Sequence, residues 1–276
     1  MKQFAYLFNI IGTWKQIFRN LKRSKELLYQ LFYINLTSQF KKTILGSSWL
    51  FFDPVISILV WLLLHKAGVF TPGEMNIPYP AYILLSMSIW TFFVGFFNTI
   101  GTSVTEAGRM LLEVSFPMEI KIAEKSLINV VNFIIPLLIS VVVLIILGVS
   151  FTLQSLLFIP ALIPLAFLGM AIGIFSSLIE VVFHDLFLLI KRSLRLLMYI
   201  TPIVYSKNVN SDILQTIMKY NPLNYLISLP RELLTNNEVT NISSYWISCA
   251  IALLAFLVVM QIYYHTVNKV IEKILE

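Results

Sequence analysis

Three basic side chains interrupt an apolar stretch of the sequence at residues 183–206. Lys191, Arg192 and Arg195 lie inside this stretch, and most of its other residues are apolar. Insertion of a charged side chain at the centre of a bilayer costs about 2.5–3.5 kcal/mol, so such residues usually have a partner or a function. Arg and Lys are common ligands of phosphate groups. The three residues are therefore candidates for binding an anionic, phosphate-bearing ligand.

Helical periodicity places these basic residues on one face of the stretch. His184, Lys191 and Arg195 align at about 100° per residue, and Asp185 and Arg192 flank them. The opposite face is apolar and consists of Phe187, Ile190, Leu194, Leu197 and Met198. Two interpretations remain open. The polar face lines a path that receives a group such as the pyrophosphate of a lipid carrier, or its long side chains only extend to lipid headgroups.

A second stripe consists of aromatic residues. Its members recur at intervals of 3, 4, 4, 3 and 4 residues, as Tyr79, Tyr82, Ser86, Trp90, Phe93 and Phe97. This spacing places them on one face of a helix. The stripe either packs inside a helix bundle or forms a track along which sugar rings slide. The second interpretation assigns Tyr82, Trp90, Phe93 and Phe97 to a substrate path.

The composition indicates a polytopic membrane protein. Of the 276 residues, 58% are hydrophobic and only 12% are charged, whereas soluble domains have about 25% charged residues. The single cysteine, Cys249, lies in an apolar run, so no disulfide within the chain is expected. The net charge of +6 fits basic cytoplasmic loops better than nucleic-acid binding.

The hydropathy pattern predicts an all-α membrane protein with six transmembrane helices. A span needs about 20 apolar residues, and the candidates are residues 48–65, 79–101, 127–148, 156–183, 186–205 and 242–264. If the N-terminus is cytoplasmic, the inner segments contain 16 of the 20 Lys and Arg residues. The positive-inside rule therefore places both termini in the cytoplasm.

The remaining segments predict three further parts. Residues 2–23 form a basic amphipathic helix within a cytoplasmic interface segment, 1–47, and no cleavable signal peptide is evident. The six-span domain covers 48–265 and is followed by a cytoplasmic tail, 266–276. Turn residues alternate with apolar patches at about 207–236, which predicts short helices at the outer surface between spans five and six.

Sequence signals of enzymes are absent. The sequence contains no G-x-x-x-x-G-K-[S/T] motif and no G-x-S-x-G motif. The three histidines are far apart in the sequence and form no metal-binding pattern. Asp53 and Glu180 are isolated carboxylates near span ends, which fits polar contacts at helix ends better than catalysis. We therefore expect no cofactor, metal or enzymatic activity in this chain.

Four local motifs resemble those of the ABC type-2 export permeases for polysaccharides such as O-antigen, capsule and teichoic acid. They are FKKTILGSSW (40–49), VSFPMEI (114–120), FHDL followed by YITPIVYS (199–206), and YNPLNYLISLPRELL (220–234). Their order matches the family over most of the chain. Two residues depart from its pattern, because His184 replaces a common Arg and Asp53 replaces an apolar residue.

The resemblance implies a homodimer in the bacterial cytoplasmic membrane. Two separate ATP-binding subunits would bind ATP and magnesium, and a lipid-linked glycan would pass between the two copies. An inner helix at about 104–116, with Arg109, Met110, Leu111 and Glu113, would couple to the ATPase.

The outer segment is predicted to close the path. A path wide enough for a glycan would leak ions when idle, so it needs an outer closure. Pro202 can kink the helix there, and Asn221, Pro222 and Pro230 punctuate the outer helices. The predicted gate residues are Pro202, Tyr205, Asn221, Pro222 and Arg231.

Two other functions remain open. An ABC type-2 exporter of small lipophilic drugs or lipids would have the same architecture. A membrane-embedded glycan-modifying enzyme would need a cluster of acidic, basic or histidine side chains, which the sequence does not contain.

Overall fold

The computed structural model describes residues 10–39, 41, 43–69, 71–73, 75, 77–111, 116–206, 212–235 and 238–275. Within these ranges the regular structure is helical, as the sequence predicts. The α-helices are α1 Ile10–Arg23, α2 Lys25–Ser38, α3 Trp49–Lys66, α4 Tyr79–Ile100, α5 Ser103–Leu111, α6 Glu119–Ile146, α7 Phe158–Ala161, α8 Ile163–Val182, α9 His184–Ile200, α10 Asp212–Tyr220, α11 Pro222–Leu234 and α12 Ile242–Leu275. Short 3₁₀ turns at Gly46–Ser48 and Leu153–Leu157 precede α3 and α7.

Five segments of the described chain are long and apolar enough to cross a membrane. They are Gly46–Lys66, Tyr79–Gly108, Glu119–Ile146, Leu153–Val182 and Ile242–Glu272. The predicted fifth span, 186–205, is not among them. Its helix, α9, has 17 residues and contains three of the basic residues, which lower its hydropathy. The all-α membrane fold is thus confirmed, whereas the number of six spans is not.

The helix α6 extends beyond its predicted span because polar residues at its start are packed against protein. The helix α6 begins at Glu119 instead of Leu127, and its first turns carry a buried ion pair between Lys121 and Glu124 at 2.8 Å. The Asn35 side chain of α2 donates a hydrogen bond to Glu124 at 3.0 Å. A hydropathy window excludes such residues, although the fold buries them.

The N-terminal helix α1 is amphipathic, as the sequence predicts. Ile17 is buried, whereas Phe18 is 65% exposed. Trp14 packs against Phe256 of α12 with ring centroids 5.8 Å apart, and Gln261 of α12 donates a hydrogen bond to Thr13 at 3.2 Å. The helix therefore lies against the bundle with one face and leaves an apolar side chain on the other.

The centre of the bundle is α4, which contacts α3, α6, α8 and α11. Two glycines of α8, Gly169 and Gly173, let it approach α4 closely. A Cβ atom at either position would lie 2.8 Å from a carbonyl oxygen of α4, that of Phe93 or of Phe96 respectively. Small residues four positions apart are a common means of close helix packing in membranes.

We predict that Gly173→Leu lowers the stability of the chain in detergent by about 1–3 kcal/mol, because the added atoms collide with the backbone of α4. The thermal unfolding midpoint, followed by circular dichroism, should fall. Ala250→Leu is the control, because Ala250 is exposed on α12. Equal midpoints for the two variants would contradict the close contact.

Candidate functional site

The basic face of α9 is exposed in the single chain. Lys191, Arg192 and Arg195 are all exposed, and none of them has a carboxylate partner within the part of the chain that the structure describes. The opposite face is packed, and both Phe187 and Leu194 are buried. The structure therefore agrees with the two faces read from the sequence. Cations without internal partners remain available to an external ligand.

The N-terminal end of α9 is linked to two other helices, α5 and α8. Phe183 has a non-helical backbone conformation, with φ −139° and ψ 78°, and separates α8 from α9. His184 Nδ1 lies 3.6 Å from a carboxylate oxygen of Glu180, and Thr105 of α5 donates a hydrogen bond to the other oxygen. Asp185 is exposed. Glu180 thus links α5, α8 and α9, a role that its isolated position in the sequence did not indicate.

The predicted coupling helix corresponds to α5, which follows α4 after a short turn. Its described part covers Ser103–Leu111, and residues 112–115 of the predicted 104–116 lie outside the described residues. Glu106 contacts Lys125 of α6 at 2.6 Å, which anchors α5 to α6. It also accepts a hydrogen bond at 2.8 Å from Thr102, which lies just before α5. The predicted contact side chains lie outside the described part of the structure, and they are Arg109, Met110, Leu111 and Glu113.

The aromatic stripe is packed inside the bundle in this conformation. Tyr82, Trp90, Phe93 and Phe97 are all buried. Phe97 stacks on Phe187 of α9 with centroids 5.3 Å apart. The contacts shown are therefore those of helix packing, and the role of these rings as a sugar track stays a prediction.

A buried arginine connects the outer helices to α4. Arg231 of α11 is 5% exposed. Its guanidinium donates hydrogen bonds to Ser86 Oγ at 2.9 Å, to the Pro202 carbonyl at 3.0 Å and to Ser228 Oγ at 3.4 Å. It also lies 4.2 Å from the centroid of the Tyr82 ring, which is a cation–π distance.

The segment after α9 folds onto the same cluster. The Tyr82 hydroxyl lies 2.8 Å from the Tyr205 carbonyl and 3.1 Å from the Pro202 carbonyl. The Tyr205 hydroxyl donates a hydrogen bond to the Tyr199 carbonyl at 3.0 Å, which closes the turn on itself. The Ser206 amide then donates to the Pro72 carbonyl at 2.7 Å.

The start of α11 belongs to this cluster as well. Asn221 caps the helix by accepting a hydrogen bond from the Leu223 amide at 3.0 Å, and Pro222 occupies the first helical position, which it favours. The Asn221 side chain also donates to Thr201 Oγ1 at 3.0 Å. The structure thus brings the predicted gate residues together with Tyr82. Thr201 and Ser228 were missed, and Ser86 was assigned only to the stripe on α4, because isolated hydroxyl side chains have no distinctive sequence signal.

The fold defines a multi-pass α-helical membrane protein. Residues 29–235 match the sequence model of the ABC-2 type transporter family, and the chain belongs to this family. It is similar to an O-antigen export system permease protein RfbA from Myxococcus xanthus, with 25% identity over 203 residues that cover 71% of this chain and 75% of that protein. Two proteins of the same name from Klebsiella pneumoniae are each 22% identical, covering 80% and 79% of this chain and 84% and 83% of their own.

We predict that Arg231→Gln loosens the outer segment. Each lost hydrogen bond to a charged group costs about 1.5–3 kcal/mol, and Arg231→Lys should recover only part of it, because Lys lacks the planar fork. The measurement is the alkylation rate, expected to rise, of a cysteine placed at Leu229, which is buried on α11, in a chain carrying Cys249→Ser. The matched control is Lys219→Gln, on the exposed face of α10. Equal alkylation rates in the two variants would contradict this prediction.

Proposed function

We propose that this chain is the transmembrane subunit of an ABC transporter that exports a lipid-linked polysaccharide across the bacterial cytoplasmic membrane. The observation that carries the proposal is its similarity, over 71–80% of its length, to permeases named for O-antigen export. ATP is hydrolysed by a separate subunit in this proposal. The family match and the membrane spans support a transport role.

In this proposal α9 is a sixth span, so that both termini are cytoplasmic. Its 17 residues extend about 25 Å, which is slightly less than the roughly 30 Å of the hydrocarbon layer. The turn at 201–205 adds to this length. Sixteen of the 20 Lys and Arg residues then lie on the inner side. Two copies of the chain and two ATPase subunits form the transporter.

The exposed cations of α9 receive the phosphate groups of the lipid carrier. Lys191, Arg192 and Arg195 follow one another within two helical turns, so a pyrophosphate can contact more than one of them. No described residue of the chain pairs with their positive charge, so a phosphate group has no internal partner to displace. A carrier of uncharged lipophilic molecules would gain nothing from these residues. This difference favours the glycan exporter over the drug or lipid exporter.

The cluster around Arg231 closes the path at the outer side. It ties α11 and the turn after α9 to α4, and α4 is the most buried of the candidate membrane spans. Arg231 has three hydrogen-bond acceptors and the Tyr82 ring around it, so the outer segment has one preferred docked position. Export then requires these contacts to break when ATP drives the transporter open.

We predict that the double variant Lys191→Gln with Arg195→Gln strongly reduces export of the lipid-linked glycan. One charge-assisted contact to phosphate contributes about 1.5–3 kcal/mol, so the loss of two should lower the rate by about a hundredfold or more. Arg195→Lys should be milder than Arg195→Gln, because it keeps the charge. The measurement is glycan at the cell surface in a strain that depends on this chain.

Two comparisons make this test specific. Lys25→Gln with Lys269→Gln removes the same charge from two other helices and should leave export unchanged. The amount of each variant in the membrane is measured by immunoblot. Normal export by the α9 double variant would show that its cations only contact lipid headgroups, and the proposed path would be wrong.

We predict that ATP hydrolysis requires a second subunit that docks on α5. The purified chain should hydrolyse no ATP until the ATPase is added. Met110→Asp with Leu111→Asp should release that subunit in a pull-down, because two charges replace an apolar contact. Leu153→Asp, at a position that is 85% exposed and distant in sequence from α5, is the control. Hydrolysis by the chain alone would refute the assignment.

A further inference from the structure

A crevice of about 190 Å³ lies between α3, α4 and α6. Apolar side chains such as Met87, Phe92 and Phe133 form one part of its lining, and polar side chains form the other. Asp53 of α3 contributes a carboxylate to the polar part. The sequence marks this residue as a departure from the family pattern, and the proposed export path does not use it.

The other polar groups of the crevice already have protein partners. The Asn129 amide donates a hydrogen bond to the Phe92 carbonyl at 2.9 Å. Asn132 exchanges two hydrogen bonds with Gln39 of α2, at 3.0 and 3.2 Å. Ser57 donates to the Asp53 carbonyl at 2.6 Å. In contrast, the Asp53 carboxylate has no hydrogen bond or ion pair to any residue that the structure describes.

The position of Asp53 exposes this carboxylate to the membrane. Among the residues of α3, only Ile58 is buried in the single chain. Asp53 lies four residues after Trp49, or about 6 Å along the helix axis. Trp at the end of a span usually marks the membrane–water interface. The carboxylate therefore lies near the boundary between lipid headgroups and acyl chains, where a nearby cation would stabilise it.

We propose that this crevice binds a membrane phospholipid whose headgroup has a primary ammonium group, as in phosphatidylethanolamine. The ammonium donates charge-assisted hydrogen bonds to the Asp53 carboxylate. The adjoining part of one acyl chain lies against Met87, Phe92 and Phe133. The crevice is smaller than the roughly 300–1,000 Å³ of pockets that enclose a whole small ligand, so most of the lipid stays in the bilayer.

The chemistry of the headgroup separates this lipid from the other common ones. An anionic headgroup without an amine would be repelled by the carboxylate. A choline headgroup has the same charge as ethanolamine but no N–H donor. Stepwise N-methylation of ethanolamine therefore removes the proposed contact without changing the acyl chains. This binding site is separate from the proposed path of the exported substrate, because none of the basic residues of α9 lines the crevice.

The test is a titration of the full-length, delipidated protein, followed by native mass spectrometry. The lipids are phosphatidylethanolamine, its mono- and dimethyl forms, phosphatidylcholine and phosphatidylglycerol, all with the same acyl chains. The unsubstituted amine should bind about tenfold more tightly than choline, the equivalent of one charge-assisted hydrogen bond. The methylated forms should fall between them. Equal affinity across this series in the unaltered protein would overturn the proposal.

Two variants locate the site, and a third serves as the control. Asp53→Asn keeps the size of the side chain and should abolish the preference for the amine while leaving choline binding unchanged. Met87→Trp should fill the apolar part and weaken both lipids. Glu272→Gln, which removes an exposed carboxylate near the end of α12, should preserve the preference. If Asp53→Asn keeps the preference, or if Glu272→Gln removes it, the assignment of the ammonium contact to Asp53 is wrong.

Discussion

A buried positive charge at one end of α4 constrains the outer half of the molecule. The guanidinium of Arg231 is removed from water, and none of its described partners is a carboxylate. Burial of such a charge is costly unless hydrogen bonds replace its hydration. Hydroxyl groups and the Pro202 carbonyl accept these hydrogen bonds, and the face of the Tyr82 ring adds a cation–π contact. Because these groups come from α4, α11 and the turn after α9, the charge is satisfied only when all three segments are docked.

The opposite end of the bundle uses charges in pairs. Lys121 and Glu124 form a buried ion pair at 2.8 Å, and Lys125 contacts Glu106 at 2.6 Å. The second pair holds α5 against α6, and hydrogen bonds from Asn20 and Asn35 to Glu119 and Glu124 hold the N-terminal helices there. The helices at this end are therefore packed as one layer. The contact of Glu180 with Thr105 and His184 extends the layer to α9. A displacement of α5 would therefore reach the basic face of α9 through side chains in direct contact.

Exposure differs sharply among the helices, and this difference fits a transporter subunit. The helix α4 is largely buried, whereas few side chains of α3 and α12 are buried in the single chain. Lipid or a second copy of the chain must cover those surfaces. The unpaired cations of α9 and the carboxylate of Asp53 also lie on exposed surfaces. Unlike the apolar side chains there, a charge in a lipid environment needs a polar partner. Both sites are thus defined by groups that the single chain leaves unsatisfied.

The sequence by itself determined the membrane class, five of the spans and the two faces of α9, because hydropathy and helical period are local properties. It also selected the outer residues Pro202, Asn221 and Arg231. Only the tertiary structure decided that Arg231 lies on Tyr82, that the aromatic stripe is packed, and that α6 begins within buried charges. Those features depend on contacts between residues far apart in the chain, such as Arg231 with Ser86, and no local pattern encodes such a pairing.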